Sequence, residues 1–468
     1  MSHDTFQSPF TTRYGSPAMR QIWSERNKRL MWRKMWLALA QSQQKMGLLT
    51  AAQLADIEAH AGEVNEASIN RALAIEAEIH HDLMAELKAF AEQCPIGGGA
   101  LHLGATSMDI EDNADALRLR DALSLINQKL GELLRVLAAQ VDGYADLPVM
   151  AFTHLQPAEP TTLGYRLAFY LQDLLMDANA LDGATAALRG KGFRGAVGTS
   201  AGYLELDDGR WTMDDVSNAV HRPSSIVQMP EFDIVNQTAP RKQEWHIVNA
   251  LAGLAGSLYK FAFDLRILQM PPVGEMAEPF GANQVGSSAM PFKRNPINAE
   301  KIDSLARYLA TLPRVMWDNA AHSLLERTLD DSANRRVVLA EAFLCADELL
   351  ITATRIIKNM RVNTAQIERN MQTYGPFAAT ERLLMALAKA GADRQAMHEV
   401  IRKHSMAAWA AIGAGQPNPL IELLLADAEI GRWVAPERAR ALLDASAYVG
   451  DAPIRARALA NKVLKGEG

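Results

Sequence analysis

Five stretches of the chain carry long helical patterns of apolar residues, and in the first of them these recur in steps of four and three. The first runs Leu119, Leu123, Ile126, Leu130, Leu133, Leu137 and Val141. The second runs Leu163, Leu167, Tyr170 and Leu174, then Leu181 and Leu188. The third reads Trp245, Val248, Ala252, Ala255, Leu258, Ala262 and Leu265. A fourth, Ile302, Leu305, Leu309, Leu312 and Met316, crosses Pro313, where a kink is expected. The fifth begins near Ser332 and continues to about Met360. This spacing keeps an apolar stripe on one side of a helix and suits nearly parallel or antiparallel packing. Helices this long and apolar exceed what short loops cover, so the pattern predicts a bundle that also buries surface between subunits.

The predicted fold class is all-α, with three helical domains. Residues 1–110 form an N-terminal helical domain and residues 111–360 the central long-helix bundle. Residues 361–468 form a C-terminal domain of shorter helices, separated by breaks such as 373-TYGPF-377 and 414-AGQPNP-419. The segment 195-GAVGTSAGYLEL-206 reads as a small hairpin or an irregular loop. A chain of 468 residues exceeds one hydrophobic core, which agrees with several domains. The 49% hydrophobic and 22% charged residues are those of a folded soluble protein, and sparse aromatics (6%) with frequent Ala, Leu and Met favour helices.

A net charge of −6 argues against a nucleic-acid partner, so any anionic ligand needs a local cluster of cations. Cys94 and Cys345 fit neither a metal spacing nor a disulfide framework. No signal peptide and no membrane-spanning run is read, since the best apolar candidate, near residues 250–268, is broken by Lys260, Asp264 and Arg266. A reducing cytoplasm is the expected compartment.

Polar chemistry gathers in four loop-like stretches. In 97-GGGALHLGATSMD-109, His102, Thr106 and Ser107 precede a long helix. Asp109 followed by Asp112 resembles a capping box, and His102 has the alternative of a hydrogen-bonded buried histidine. In 151-AFTHLQPAEPTT-162, Pro157 and Pro160 stiffen a loop that places His154 before a helix, a suitable position for proton transfer near neutral pH. In 286-GSSAMPFKRNP-296, Asn295 and Pro296 make a helix start whose free N–H groups, with Lys293 and Arg294, form an anion site. The serines sit upstream on a glycine, where a loop can swing to deliver a hydroxyl. In 326-ERTLDDSANRR-336, Ser332 caps a helix whose first turn holds Arg335 and Arg336. The helix dipole disfavours cations there. Pairing with Glu326, Asp330 and Asp331 is one explanation, and an anionic ligand is the other. Near the N-terminus, Arg13 and Tyr14 have the alternative of a frayed tail, and His80, His81 and Asp82 that of a solvated helix face.

Taken together, the stretches are more specific than any one. Residues 286–296 resemble the signature loop of the fumarase/aspartase/argininosuccinate lyase superfamily, G-S-S-x-M-P-x-K-x-N-P. Within it, THLQPAEPTTLG (153–164), HLGATSMD (102–109), ERTLDDSANRR (326–336) and RYGSPAMRQIWSERNK (13–28) resemble the adenylosuccinate lyase family. That resemblance implies a homotetramer, with a helix-bundle core and active sites shared between subunits. It implies cleavage of adenylosuccinate to AMP and fumarate, and the analogous cleavage of succinylaminoimidazole carboxamide ribotide in purine biosynthesis, with no metal or organic cofactor. Ser287 is implied as general base, His154 as general acid and His81 as its helper, with Lys293 and Asn295 meeting developing negative charge. Arg13, Tyr14, Arg327, Ser332 and Arg336 are implied to hold the nucleotide. Asp82, His102, Thr106, Ser107, Thr153 and Gln237 are implied as further substrate contacts. His80 stands where many members, animal ones included, have Arg, and Lys301 where animal members have Arg; both keep possible positive charge but not a bidentate fork. A sibling fumarate-releasing lyase of the argininosuccinate lyase or aspartase type is the alternative. A silent structural oligomer is disfavoured, because Ser287, His154, Lys293 and Asn295 are all present.

Overall fold

The computed structural model describes residues 4–206 and 223–466. Its helices include α1 (Glu25–Lys45), α2 (Asp82–Gln93), α3 (Ser107–Gly143) and α4 (Leu163–Ala187). They continue with α5 (Lys242–Gln269), α6 (Ile297–Leu309), α7 (Leu312–Ala321), α8 (Ser332–Asn359), α9 (Thr364–Lys389) and α10 (Arg394–Gly413). Among the described residues, strands are confined to short antiparallel pairs, the longer being β1 (Pro148–Thr153) with β2 (Gln156–Thr162). The predicted all-α class and the long apolar helices are therefore present. At about 1.5 Å per residue, α3 is roughly 55 Å long. Every residue of its seam, from Leu119 to Val141, is buried.

The Cα framework divides into two compact units. The first comprises Met1–Leu130, Asp177–Gly256 and Leu305–Ile351, and the second Gly131–Met176, Ser257–Ser304 and Thr352–Gly468. The division falls inside α3, α4, α5, α6 and α8, so each long helix supplies residues to both units.

In the first unit, one core gathers Trp32, Met35, Trp36 and Leu39 of α1 with Phe90 of α2 and Ile110 and Leu117 of α3. Inside it the guanidinium groups of Arg29 and Arg33 grip the buried Glu86 carboxylate at 2.6 and 2.7 Å. Burying such charges is tolerable only when they meet each other directly. In the second unit the core gathers Leu383 and Leu387 of α9, Met397 and Ile401 of α10, and Leu420, Leu424 and Leu442 beyond.

Three local expectations are corrected. Residues 151–162 are not a loop but the greater part of the β1–β2 hairpin. The chain breaks at Pro313, where only a kink was expected: α6 ends at Leu309, and Pro313 sits in the first turn of α7, where its missing N–H costs nothing. Conversely, α9 runs unbroken through 373-TYGPF-377, with Pro376 inside it and buried. Asn418 donates to the Thr373 carbonyl at 2.8 Å in the turn the proline disturbs. For the segment 195–206 the second of its two expected forms holds. It is an irregular loop ending in the single turn Ala201–Leu204.

Candidate active site

In the first unit several expected residues meet around the start of α2 and α8. His81 stands at the N-cap of α2, and its Nδ1 accepts the Met84 N–H at 3.4 Å. Its Nε2 lies 3.5 Å from the Ser107 hydroxyl. Asp82 pairs with Arg336 at 2.7 Å. Burial alone would raise the Asp82 pKa, but the Arg336 guanidinium outweighs it and holds the carboxyl below its usual value. Ser332 is the first helical residue of α8, so Asp331, not Ser332, takes the cap position. Arg327 pairs with Asp331 at 3.0 Å. Lys28 of α1, Glu111 of α3, and Ser332, Arg335 and Arg336 of α8 line a common cavity of about 60 Å³.

The two adjacent arginines separate in role. Arg335 is buried and grips Glu244 through its Nε at 2.8 Å, with Asp115 at 3.4 Å and Asp112 at 3.6 Å. None of these is the partner expected from residues 326–331. Asp331 instead pairs with Arg327 and with Arg241 (2.6 Å). Arg336 keeps a half-exposed side chain. It pairs with Asp82 and is the more exposed of the two arginines.

Asp109 does more than cap a helix. The expected Asp109/Asp112 box is displaced by one turn: α3 begins at Ser107, and Asp109 accepts the Thr106 N–H at 3.0 Å, while its fully buried carboxylate also receives the Lys191 ammonium. The Arg194 N–H at 3.1 Å, the Gly195 N–H at 3.1 Å and the Tyr203 hydroxyl at 3.1 Å also donate to it. It thereby ties the loop 191–203 to the start of α3. Gln237 donates to the Ala196 carbonyl of that loop at 3.0 Å. His102 has a left-handed backbone (φ 69°), and its Nδ1 accepts the Trp36 indole N–H at 3.0 Å. Burial lowers its pKa, with Asp109 opposing, so the neutral Nε2–H tautomer fits.

The N-terminal segment is not frayed. The Gly15 N–H donates to Glu348 at 3.1 Å and the Ser16 N–H to Asp347 at 2.5 Å. Phe10 packs edge-on against Tyr14 at 5.8 Å. Arg13 lies 6.0 Å from the Tyr14 ring.

In the second unit, His154 and Leu155 form the two-residue tip of the hairpin, with Thr153 paired to Gln156 across it. Both tip residues have positive φ, 54° and 60°. A two-residue hairpin turn demands this, and Asn-Gly is its usual answer. His tolerates the left-handed region, whereas Leu is strained there. His154 and Leu155 are both exposed.

The 286–296 loop closes on itself. Asn295 donates through Nδ2 to the Gly286 carbonyl at 2.9 Å, and a Cβ on Gly286 would stand 2.1 Å from the Lys293 carbonyl oxygen. Ser287 Oγ accepts two backbone N–H groups, Met290 at 3.1 Å and Ala289 at 3.3 Å. Lys293 is exposed and makes no side-chain hydrogen bond or ion pair among the described residues. The expected anion site at the following helix start is not open. That helix begins at Ile297, and buried Glu278 takes the Asn298 and Ala299 N–H groups at 3.0 and 2.9 Å. Asn295 therefore serves as a loop clasp, not a helix cap. Two participants escaped sequence reasoning. Glu278 lies too far from the helix start to be read as its cap, and Glu111 lies in an acidic helix turn that reads as solvated surface.

Comparison with known proteins matches this framework. Residues 12–309 match the lyase family, and residues 376–458 match the adenylosuccinate lyase C-terminus. Adenylosuccinate lyase of Saccharomyces cerevisiae is 38% identical, over 96% of this chain and 93% of that protein. The enzyme of Pyrococcus horikoshii is 33% identical, over 98% and 97%. Among solved structures, the 3-carboxy-cis,cis-muconate lactonizing enzyme of Pseudomonas putida superposes with a TM-score of 0.85 at 26% identity, covering 98% of this chain and 99% of that one. The chain belongs to the adenylosuccinate lyase family of carbon–nitrogen lyases.

Proposed function

We infer that the chain cleaves adenylosuccinate to AMP and fumarate, and succinylaminoimidazole carboxamide ribotide to aminoimidazole carboxamide ribotide and fumarate. The reaction removes a proton from the carbon beside a succinyl carboxylate, passes through a dianionic aci-carboxylate, breaks the C–N bond and protonates the departing nitrogen. Ser287 takes the proton. The single observation that carries this role is the pair of N–H groups on its Oγ, because donors to the charged form stabilise an alkoxide. Lys293 and Asn295 meet the developing charge on the carboxylate. His154, presented on an exposed strained tip, protonates the leaving nitrogen. His81 orients the substrate from the N-cap of α2. Arg13, Tyr14, Arg327, Ser332 and Arg336 hold the nucleotide, with Asp82, His102, Thr106, Ser107, Thr153 and Gln237 as further contacts.

The working form is a homotetramer with sites shared between subunits. Large apolar side chains on the long helices support this reading: Phe169, Met176 and Phe263 in the second unit and Val337 in the first are 44–64% exposed in the single chain. The three-domain division at about 110 and 360 is part of the same reading. No helix of the described residues is long and apolar enough to cross a membrane. Both cysteines are buried and unpaired, which suits a reducing cytoplasm.

The test is conversion of adenylosuccinate by the purified protein, following AMP and fumarate, beside Ser287→Ala. Product from the unaltered chain and a loss of about 10³-fold or more in kcat in the variant is the expected result. Full activity in the variant removes Ser287 as the base. No product on adenylosuccinate, with turnover of argininosuccinate or aspartate, supports the sibling lyase instead.

A further inference from the structure

The cavity shared by Ser332 and Arg336 contains one group that the mechanism above does not use. Glu111 lies in the first turns of α3, one turn before Asp115, and its carboxyl makes no hydrogen bond or ion pair among the described residues. Every other carboxylate around it has a cation. Asp82, at the start of α2, holds Arg336 at 2.7 Å. On α3 itself, Asp115 holds Arg118 at 3.0 Å and Asp112 holds Arg241 at 2.9 Å. From α1, Lys28 is engaged by Glu25 at 2.8 Å and stands over the Trp32 ring at 4.9 Å. From α8, Arg335 is taken by Glu244. His81, at the N-cap of α2, lies against Ser107. Glu111 therefore faces the negative charges of Asp82, Asp115 and Asp112, relieved only by Arg336.

A second observation points to an incoming acceptor. Trp23 lines the same cavity, and its buried indole N–H has no hydrogen-bond partner among the described residues. The wall thus offers an unused donor, a half-exposed guanidinium and a serine hydroxyl. An ionised Glu111 would repel the anion that these groups invite. A protonated Glu111 would add another donor.

We propose that Glu111 is a further substrate-positioning residue, which binds the phosphate monoester of the nucleotide as the neutral acid, its O–H donating to a phosphate oxygen. This rests on the reading of Arg336 and Ser332 as nucleotide residues given above. It makes nucleotide binding proton-linked: the complex requires the proton on Glu111, and phosphate bound beside it holds that proton more tightly. Burial, with Asp82 and Asp115 next, already pushes the Glu111 carboxyl up to about 8 in the free protein. At neutral pH the acid form is thus ready, and above pH 8 each binding event must draw a proton from solution. With a second pKa near 6, the nucleotide phosphate is about 99% dianionic above pH 8, so it contributes almost no titration there.

The experiment has two arms. Titration calorimetry of AMP into the full chain at pH 8.5, in two buffers of different ionisation enthalpy, is expected to show uptake of up to about one proton in the unaltered protein and none in Glu111→Gln. Steady-state kinetics on adenylosuccinate are expected to show KM rising about tenfold per pH unit above pH 8, with kcat far less affected, and a flat KM in Glu111→Gln, whose amide remains a neutral donor. Absence of proton uptake in the unaltered protein overturns the proposal without recourse to a variant. So does an unchanged KM rise in Glu111→Gln, or weak binding by that variant at every pH, which would mean that the ionised carboxylate is the working form. A chain that binds AMP with proton uptake at Glu111 but releases no fumarate refutes the proposed reaction and leaves the assignment of Glu111 standing.

Discussion

A carboxylate's surroundings decide its work, and α3 displays two opposite cases within three residues. Asp109 is fully buried yet satisfied, receiving an ammonium, backbone N–H groups and a phenol. Asp109→Ala is expected to destabilise the protein by about 3–5 kcal/mol, because Lys191 would remain buried without its partner, and urea unfolding measures it. Glu111 is the unsatisfied case. The unfolded chain releases its proton near 4.5, whereas the folded chain keeps it until about 8. Between those values the folded state binds more protons, so the contribution of Glu111 to stability falls as pH rises. Glu111→Gln should remove that slope, and the difference between the two proteins in unfolding free energy at pH 5 and pH 8 tests it. Neither role was legible locally. Asp109 and Glu111 both sit in an ordinary acidic helix turn, and the partner that distinguishes Asp109 lies 82 residues away.

Among elements, the long helices were legible because a period of three and four survives over many turns, and burial follows it from Leu119 to Val141. The hairpin was not. Its tip is His-Leu where a turn of this kind prefers Asn-Gly, and β2 carries Pro157 and Pro160, which argue against a strand. The role proposed for His154 would account for a tip that folding alone does not favour. Leu155→Gly should therefore stabilise the protein by up to about 1 kcal/mol, seen as a higher denaturant midpoint, while His154 keeps its place. The signature loop was legible as a polar, glycine-started segment, but the group that caps the helix after it was not, because Glu278 arrives from 20 residues before Asn298. Closure of that loop depends on Gly286. Gly286→Ala, whose methyl would meet the Lys293 carbonyl, is expected to lower kcat on the order of 10²-fold with the melting temperature nearly unchanged.

At the scale of the whole molecule, the sequence spoke through what it left over. The long apolar seams led to an expectation of association; the seam from Leu119 to Val141 is covered within the chain, and it is Phe169, Met176 and Phe263, outside the seams, that stay large and uncovered in the single chain. Sedimentation of the purified protein should give the mass of four chains. If sites are shared, co-refolding inactive Ser287→Ala with inactive His154→Ala should restore a measurable fraction of activity, whereas sites confined to one chain would leave the mixture dead. The first unit carries a further consequence. The backbone of Gly15 and Ser16 supplies donors to Glu348 and Asp347, and Asp347 is wholly buried. Trimming the chain to begin at α1, a tempting choice for crystallisation, would therefore expose no harmless stub. It would strip a hydrogen bond from an interior carboxylate in the middle of α8, and the damage would surface far from the cut.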